Sequence, residues 1–220
     1  MPRWLYNLAI FFKGRIVFET HKDKLSYSIG VSTARNLRQE QVDLDLELVM
    51  KGLADGLAGS AVQISDREIN AIMNNLAAEL RRKGMARRVL AAEKNLREGA
   101  AFLAANAGED GVVTLQSGVQ YKILTAGEGR TPVDSDLVTC HFRGTLLDGS
   151  EFDATEEGVP VSFKLSGLVV GWKEALKLMP AGSRWQMFIP PALAYGERGF
   201  GNAIGPNETL VFDLELLAIE

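Results

Sequence analysis

Residues 137–153, LVTCHFRGTLLDGSEFD, decide how the second half of this 220-residue chain is read. Residues 137–145 are strand-like, and 151–153 begin a second strand. Between them Asp148-Gly149 is a strong hairpin-turn dipeptide, because glycine enters positive φ at no steric cost. Cys140 falls inside the first strand. It is the chain's sole cysteine, so it closes no intramolecular disulfide and reads as a buried thiol.

Outward from that hairpin the same period-two signal recurs. Val119, Tyr121 and Ile123 alternate with polar neighbours, and 161–165, 183–189 and 209–219 are further strand candidates. A short helix is predicted over 172–178, stopping before Pro180-Ala181-Gly182. Residues 111–220 therefore form an α+β domain, an antiparallel sheet with one short helix to cover a face.

Toward the amino terminus the period becomes helical. Residues 26–38 suit a short amphipathic helix. Asp45 is placed to cap a second one carrying Leu46, Val49, Met50, Leu53 and Leu57. Ser65 and Glu68 form a capping box ahead of a proline-free stretch that runs to residue 111. A helix of about 40 residues there reaches roughly 60 Å, more than the width of a small domain. Its early apolar face (Ile69, Ile72, Met73, Leu76, Leu80) needs burial. The later part is charged and alanine-rich, and its basic run, Arg81, Arg82, Lys83, Arg87 and Arg88, reads as a solvated helix face. Three thin helices offer one another little core. Dimerisation through residues 25–110 is the economical solution, and a closed monomeric bundle is the other.

Residues 1–24 read as a tail. Its apolar run, 4–12, follows Arg3, but Lys13 and Arg15 come next and no small-residue cleavage site succeeds them. A degraded leader, a surface helix and an interfacial anchor are the open readings. Elsewhere the composition is restrictive. A net charge of -4 leaves no nucleic-acid footprint. With His21 and His141 as its only imidazoles, the chain is poorly equipped for a His-based metal site or a Ser-His-Asp triad, so no metal or cofactor is expected. No run reaches the roughly 20 apolar residues of a membrane helix. The glycine-rich segment 196–201 lacks the Lys-Ser/Thr ending of a P-loop and reads as a mobile loop. Glu156-Glu157 is solvated turn charge.

Several segments resemble, in the expected order, those of an FKBP-type peptidyl-prolyl isomerase domain. Val138-Thr139-Cys140-His141-Phe142-Arg143-Gly144-Thr145, Leu147-Asp148-Gly149 and Phe152-Asp153 are similar to its opening half. Gly171-Trp172-Lys173-Glu174-Ala175-Leu176 is similar to its helix. Ile189-Pro190-Pro191-Ala192-Leu193-Ala194-Tyr195-Gly196 and Leu210-Val211-Phe212-Asp213-Leu214-Glu215-Leu216 are similar to its last loop and strand. The first half resembles the helical dimerisation domain of bacterial two-domain members, the macrophage infectivity potentiator class. Ser26-Tyr27-Ser28-Ile29-Gly30-Val31, Arg35-Asn36-Leu37 and Lys51-Gly52-Leu53 carry that likeness. It implies a V-shaped homodimer joined at the amino-terminal helices. It also suggests the bacterial periplasm or cell envelope; the cytoplasm is the alternative, because no clean signal peptide is present.

The resemblance implies a site as well. Asp153, Trp172, Tyr195 and Phe212 would be its catalytic residues, with Phe142, Phe152, Leu168, Val169, Phe200 and Ile204 lining the substrate pocket. Trp172 would be the floor for a proline ring. The Tyr195 hydroxyl and the Val169 N–H would donate to substrate, and Asp153 would polarise the amide from the pocket edge. Phe142 stands where many members have tyrosine, Val161 replaces a frequent aromatic, and Phe200 and Ala203 also differ. Unfolded proline-containing proteins would be the clients, and the macrolides tacrolimus and rapamycin further ligands. Singly, each aromatic also reads as core, Asp153 as a turn cap and Tyr195 as a loop residue.

The chemistry asks little of such a site. Twisting a peptide bond destroys amide resonance and meets a barrier of about 18–20 kcal/mol. An X-Pro bond exchanges over tens to hundreds of seconds, although its isomers differ little in energy. A catalyst has only to bind the twisted amide better than the planar ones. The twisted form separates less charge, so an apolar, water-poor pocket favours it. A thousandfold acceleration takes about 4 kcal/mol. The competing class is a holdase, in which the dimer's cleft grips unfolded clients. A hydrolase lacks its histidine.

Overall fold

The computed structural model describes residues 18–40, 42–59 and 62–220; the apolar run 4–12 lies outside them. Two compact units divide at Leu80/Arg81.

The first unit is helical. Helix α1, His21–Gln39, begins earlier than residue 26, because Thr20 caps it. The Thr20 hydroxyl accepts from the Asp23 N–H at 3.1 Å, and the Asp23 carboxylate accepts from the Thr20 N–H at 2.9 Å. That reciprocal pair satisfies two of the donors a helix start leaves free. Helix α2, Leu46–Ala58, is capped by Asp45, which accepts from the Glu47 and Leu48 N–H groups. It ends at Gly59, whose φ of 63° closes the last turn. Among the described residues, neither α1 nor α2 contributes one that is buried. Leu48, Leu53, Leu57, Ile72 and Met73 all stand exposed. Helix α3, Asp66–Asn106, runs unbroken for 41 residues through Gly84 and Gly99.

The second unit carries one seven-stranded antiparallel sheet. Its strands are β1 (Val112–Thr114), β2 (Gln120–Thr125), β3 (Leu137–Thr145), β4 (Glu151–Ala154), β5 (Val161–Lys164), β6 (Arg184–Ile189) and β7 (Leu210–Ile219). The order is β1-β2-β6-β7-β3-β4, with β5 also paired to β3. Strand β1 was not foreseen. Strand β5 stops before Leu165, which opens a one-turn 3-10 helix. The 148–149 turn forms as expected: Gly149 takes a φ of 85° and donates to the Leu146 carbonyl at 3.1 Å.

Helix α4, Val170–Leu176, starts two residues before the predicted 172 and ends two before 178. Its Trp172, Ala175 and Leu176 join Val138, Cys140, Met187, Ile189, Phe212, Leu214 and Leu216 in one buried cluster. Gly171 permits the close approach, since a Cβ there would stand 2.4 Å from Ile189 Cγ2. The alternation predicted for β2 is only half kept. Val119 is buried, but so is Gln120, while Ile123 is exposed. The end of α3 explains this by covering the opposite face: Phe102 packs tilted against Phe188, ring centroids 5.6 Å apart, and Gln120 donates to the Leu103 carbonyl at 2.8 Å.

Candidate active site

Strand β3 and the 137–153 hairpin place the first wall. Phe142 and Gly144 fall on the inner face of β3, and Gly144 pairs with Asp153 of β4 and Phe212 of β7. A Cβ at Gly144 would lie 2.6 Å from the Phe152 ring and 2.9 Å from the Phe212 ring. Only glycine lets the two rings meet, edge to face, with centroids 5.5 Å apart.

Helix α4 delivers Trp172 into this aromatic group. Phe142, Phe163 and Phe212 meet its indole at 5.4, 6.1 and 5.0 Å, with interplanar angles of 83°, 84° and 88°. Edge-to-face contact sets the positive ring edge against the negative ring face and fixes each plane. Trp172 is 4 % exposed, so it forms a nearly closed base, deeper than an open floor. Its indole N–H is buried without an acceptor among the described residues. Phe163 belongs to the group although the sequence analysis gave it no role beyond the strand candidate 161–165; it stands opposite Val138 of β3.

The other wall comes from three connections. Leu168 follows the Leu165–Gly167 turn, and Val169 is the residue before the first turn of α4; both pack half-buried on the core. After β6, Tyr195 stands ahead of the 3-10 turn Gly196–Arg198 and stacks on Phe200 at 5.0 Å. Phe200 is 63 % exposed, a rim residue, while Ile204 is buried. Phe200 and Ile204 exchange two backbone hydrogen bonds, and Asn207 N–H closes the loop onto the Gly196 carbonyl at 2.8 Å. The segment read as a mobile loop is thus tied together by its own backbone.

Electrostatics join Asp153 to Tyr195. Burial, and then the negative charge of Asp153, push the tyrosine hydroxyl above its usual value, so it stays protonated and able to donate at neutral pH. Asp153 itself is exposed. Cys140 is buried in β3, with its thiol pushed up to about 12 by desolvation. Nine of the ten anticipated site residues pack on the core around Trp172 or on the loop beside it, with Asp153 at the edge.

Comparison with known proteins gives the family. Residues 128–217 match the family described as FKBP-type peptidyl-prolyl cis-trans isomerase, and residues 22–123 match the domain amino terminal to it. The chain belongs to the FKBP-type peptidyl-prolyl cis-trans isomerases and is an enzyme of that activity. Within the family it is similar to Outer membrane protein MIP of Legionella longbeachae, 44% identical over 91% of this chain and 87% of that one. Peptidyl-prolyl cis-trans isomerase Mip of Coxiella burnetii is 37% identical over 92% of this chain and 88% of its own. The crystal structure of FkpA from Escherichia coli covers 93% of this chain and 99% of that one at 35% identity, with a TM-score of 0.71.

Proposed function

We propose that isomerisation takes place over Trp172, in the space bounded by Phe142, Phe152, Leu168, Val169, Tyr195, Phe200, Ile204 and Phe212. The observation that carries this is the set of three rings held near right angles around one indole, with Tyr195 beside it, its hydroxyl pKa raised by burial and then by the Asp153 charge. The proline ring enters the apolar end. Its amide loses hydration and reaches the twisted geometry, which has less charge to solvate. Tyr195 donates to a substrate carbonyl, the Val169 N–H serves as a second donor, and Asp153 biases the amide dipole from the rim. No net proton transfer is required.

Residues 25–110 join two copies into a homodimer. The unburied apolar faces of α1, α2 and early α3 support this, because a single chain leaves them in water. Unfolded or partly folded proline-containing chains are the clients, and two tethered sites raise the effective concentration on one of them. Tacrolimus and rapamycin compete for the same cavity, where Phe142 offers no hydroxyl to them.

A protease-coupled assay with an X-Pro peptide tests the site. Tyr195→Phe and Asp153→Ala, made in the full chain, each lower kcat/KM about tenfold, near the value of one charge-linked hydrogen bond. Wild-type rates in both variants would remove these residues from the mechanism.

A further inference from the structure

The later half of α3 carries a line of residues that the isomerase chemistry does not account for. Arg88, Ala92, Asn95 and Gly99 are spaced four, three and four apart, which puts them on one helix face. All four meet the segment from Glu197 to Thr209. The Arg88 guanidinium donates to the Glu197 carbonyl at 2.8 Å and to the Arg198 carbonyl at 2.6 Å. Asn95 Nδ2 donates to the Pro206 carbonyl at 2.9 Å and to the Glu208 carboxylate at 2.7 Å. Asn207 Nδ2 donates back to the Ala92 carbonyl at 3.5 Å. Gly99 lets the helix approach, since a Cβ there would stand 2.2 Å from Thr209 Oγ1.

The two ends of the loop are therefore held by one rigid rod. Glu197 and Arg198 close the 3-10 turn that follows Tyr195, where carbonyls are left without helical partners. One guanidinium nitrogen, Nη2, serves both acceptors, and its charge strengthens each bond. Pro206 and Glu208 flank Asn207, whose N–H closes the loop's neck. Between these anchor points lie Phe200 and Ile204.

We infer that Arg88 and Asn95 are positioning residues for the isomerase site, fixing the loop that bears Tyr195, Phe200 and Ile204 from the connecting helix. The inference rests on the assignment of those three residues to the proline pocket. Its physical basis is that a wall displaced by even a fraction of an ångström loses contact with the twisted amide.

The test uses the full-length chain with Arg88→Ala, Arg88→Lys, Asn95→Ala and Arg82→Ala, the last being an exposed arginine on the same helix. Amide hydrogen exchange is followed at residues 196–207 and in β7, alongside kcat and KM for an X-Pro peptide. Arg88→Ala is expected to speed exchange in the loop and leave β7 protected. Its kcat/KM falls about fivefold to tenfold at unchanged melting temperature, as for a part-lost wall contact. Lysine recovers part of the loss, because its ammonium still reaches a carbonyl, and Arg82→Ala behaves as wild type. A loosened loop with unaltered kcat/KM, or an unaltered loop and rate, overturns the inference. Tyr195→Phe separates the two layers. If it lowers the rate while Arg88→Ala does not, the pocket stands and the positioning role falls; if Tyr195→Phe is also silent, the pocket assignment falls with it. Should Arg88→Ala expose β7, the comparison of Asn95→Ala with Arg88→Lys decides by the same readings.

Discussion

At Cys140 a single desolvated thiol makes a clean prediction. The side chain is fully buried and its ionisation is pushed up to about 12 by burial, so almost no thiolate exists near neutrality. A disulfide exchange reagent at about pH 8 is expected to label native protein only as fast as the domain opens, and to label denatured protein at once. Glu208 gives a pH dependence. Burial, with the Asp148 charge next, raises its carboxyl above the ordinary value despite the opposing Lys94 charge and Asn95 hydrogen bond. A raised folded value means that the unfolded chain gives up this proton first as pH climbs. Stability therefore falls as pH rises from the unfolded value through the folded one, and stays lowered above it. Glu208→Gln keeps an oxygen for Asn95 and removes the charge. Its melting temperature should exceed the wild type's at neutral pH, with the gap closing near about pH 3. An equal gap at both pH values would show that the carboxylate's ionisation is not the cause.

Among the elements, glycines set the tightest tolerances. Gly144 has the Phe152 and Phe212 rings where a Cβ would go. Neither ring is a flexible end that can swing aside, so Gly144→Ala should cost about 1–3 kcal/mol of unfolding free energy, as overpacking does. Chemical denaturation measures it; an unchanged midpoint would mean that the two rings can separate freely. The sheet, the 148–149 hairpin and the covering helix were legible in the sequence, because turn residues and period-two patterns write themselves locally. So was the unbroken α3, from its cap and lack of proline. Strand β1 was not legible, being three residues long and held only by its register with β2. Gln120 was misleading for a different reason. It is buried by α3, a partner remote in sequence, and alternation describes only one face of a strand. Trp172, Phe212 and Tyr195 enter the proposed site through family likeness alone, since an isolated aromatic looks the same whether it fills a core or floors a pocket. Arg88 looked like one charge in a solvated run. Its acceptors lie over a hundred residues away, and nothing local marks them.

For the whole molecule, the division at Leu80/Arg81 sets an expectation about fragments. A chain beginning at residue 111 loses Asn106, Phe102 and Gly99, and with them the cover over Gln120, Phe188 and Thr209. Residues 81–220 keep that cover. In denaturant the longer fragment should therefore unfold at a clearly higher midpoint than 111–220, and both should scatter light as monomers. The full chain should scatter as a dimer. A dimeric 81–220 fragment would show that α1, α2 and early α3 are not needed for the proposed interface.

The central claim is that the substrate's proline comes to rest against Trp172. The indole N–H of that residue, buried and without an acceptor among the described residues, is a direct reporter. Titrating the full chain, labelled at tryptophan nitrogen, with an X-Pro peptide should shift the Trp172 indole resonance progressively, reaching half of its full shift at the peptide concentration that half-saturates catalysis. The Trp185 ring stacks on Tyr121, whereas the Trp172 ring meets Phe142, Phe163 and Phe212, so the Trp185 resonance should move far less. A Trp172 resonance that does not move while the peptide is being isomerised would contradict the account.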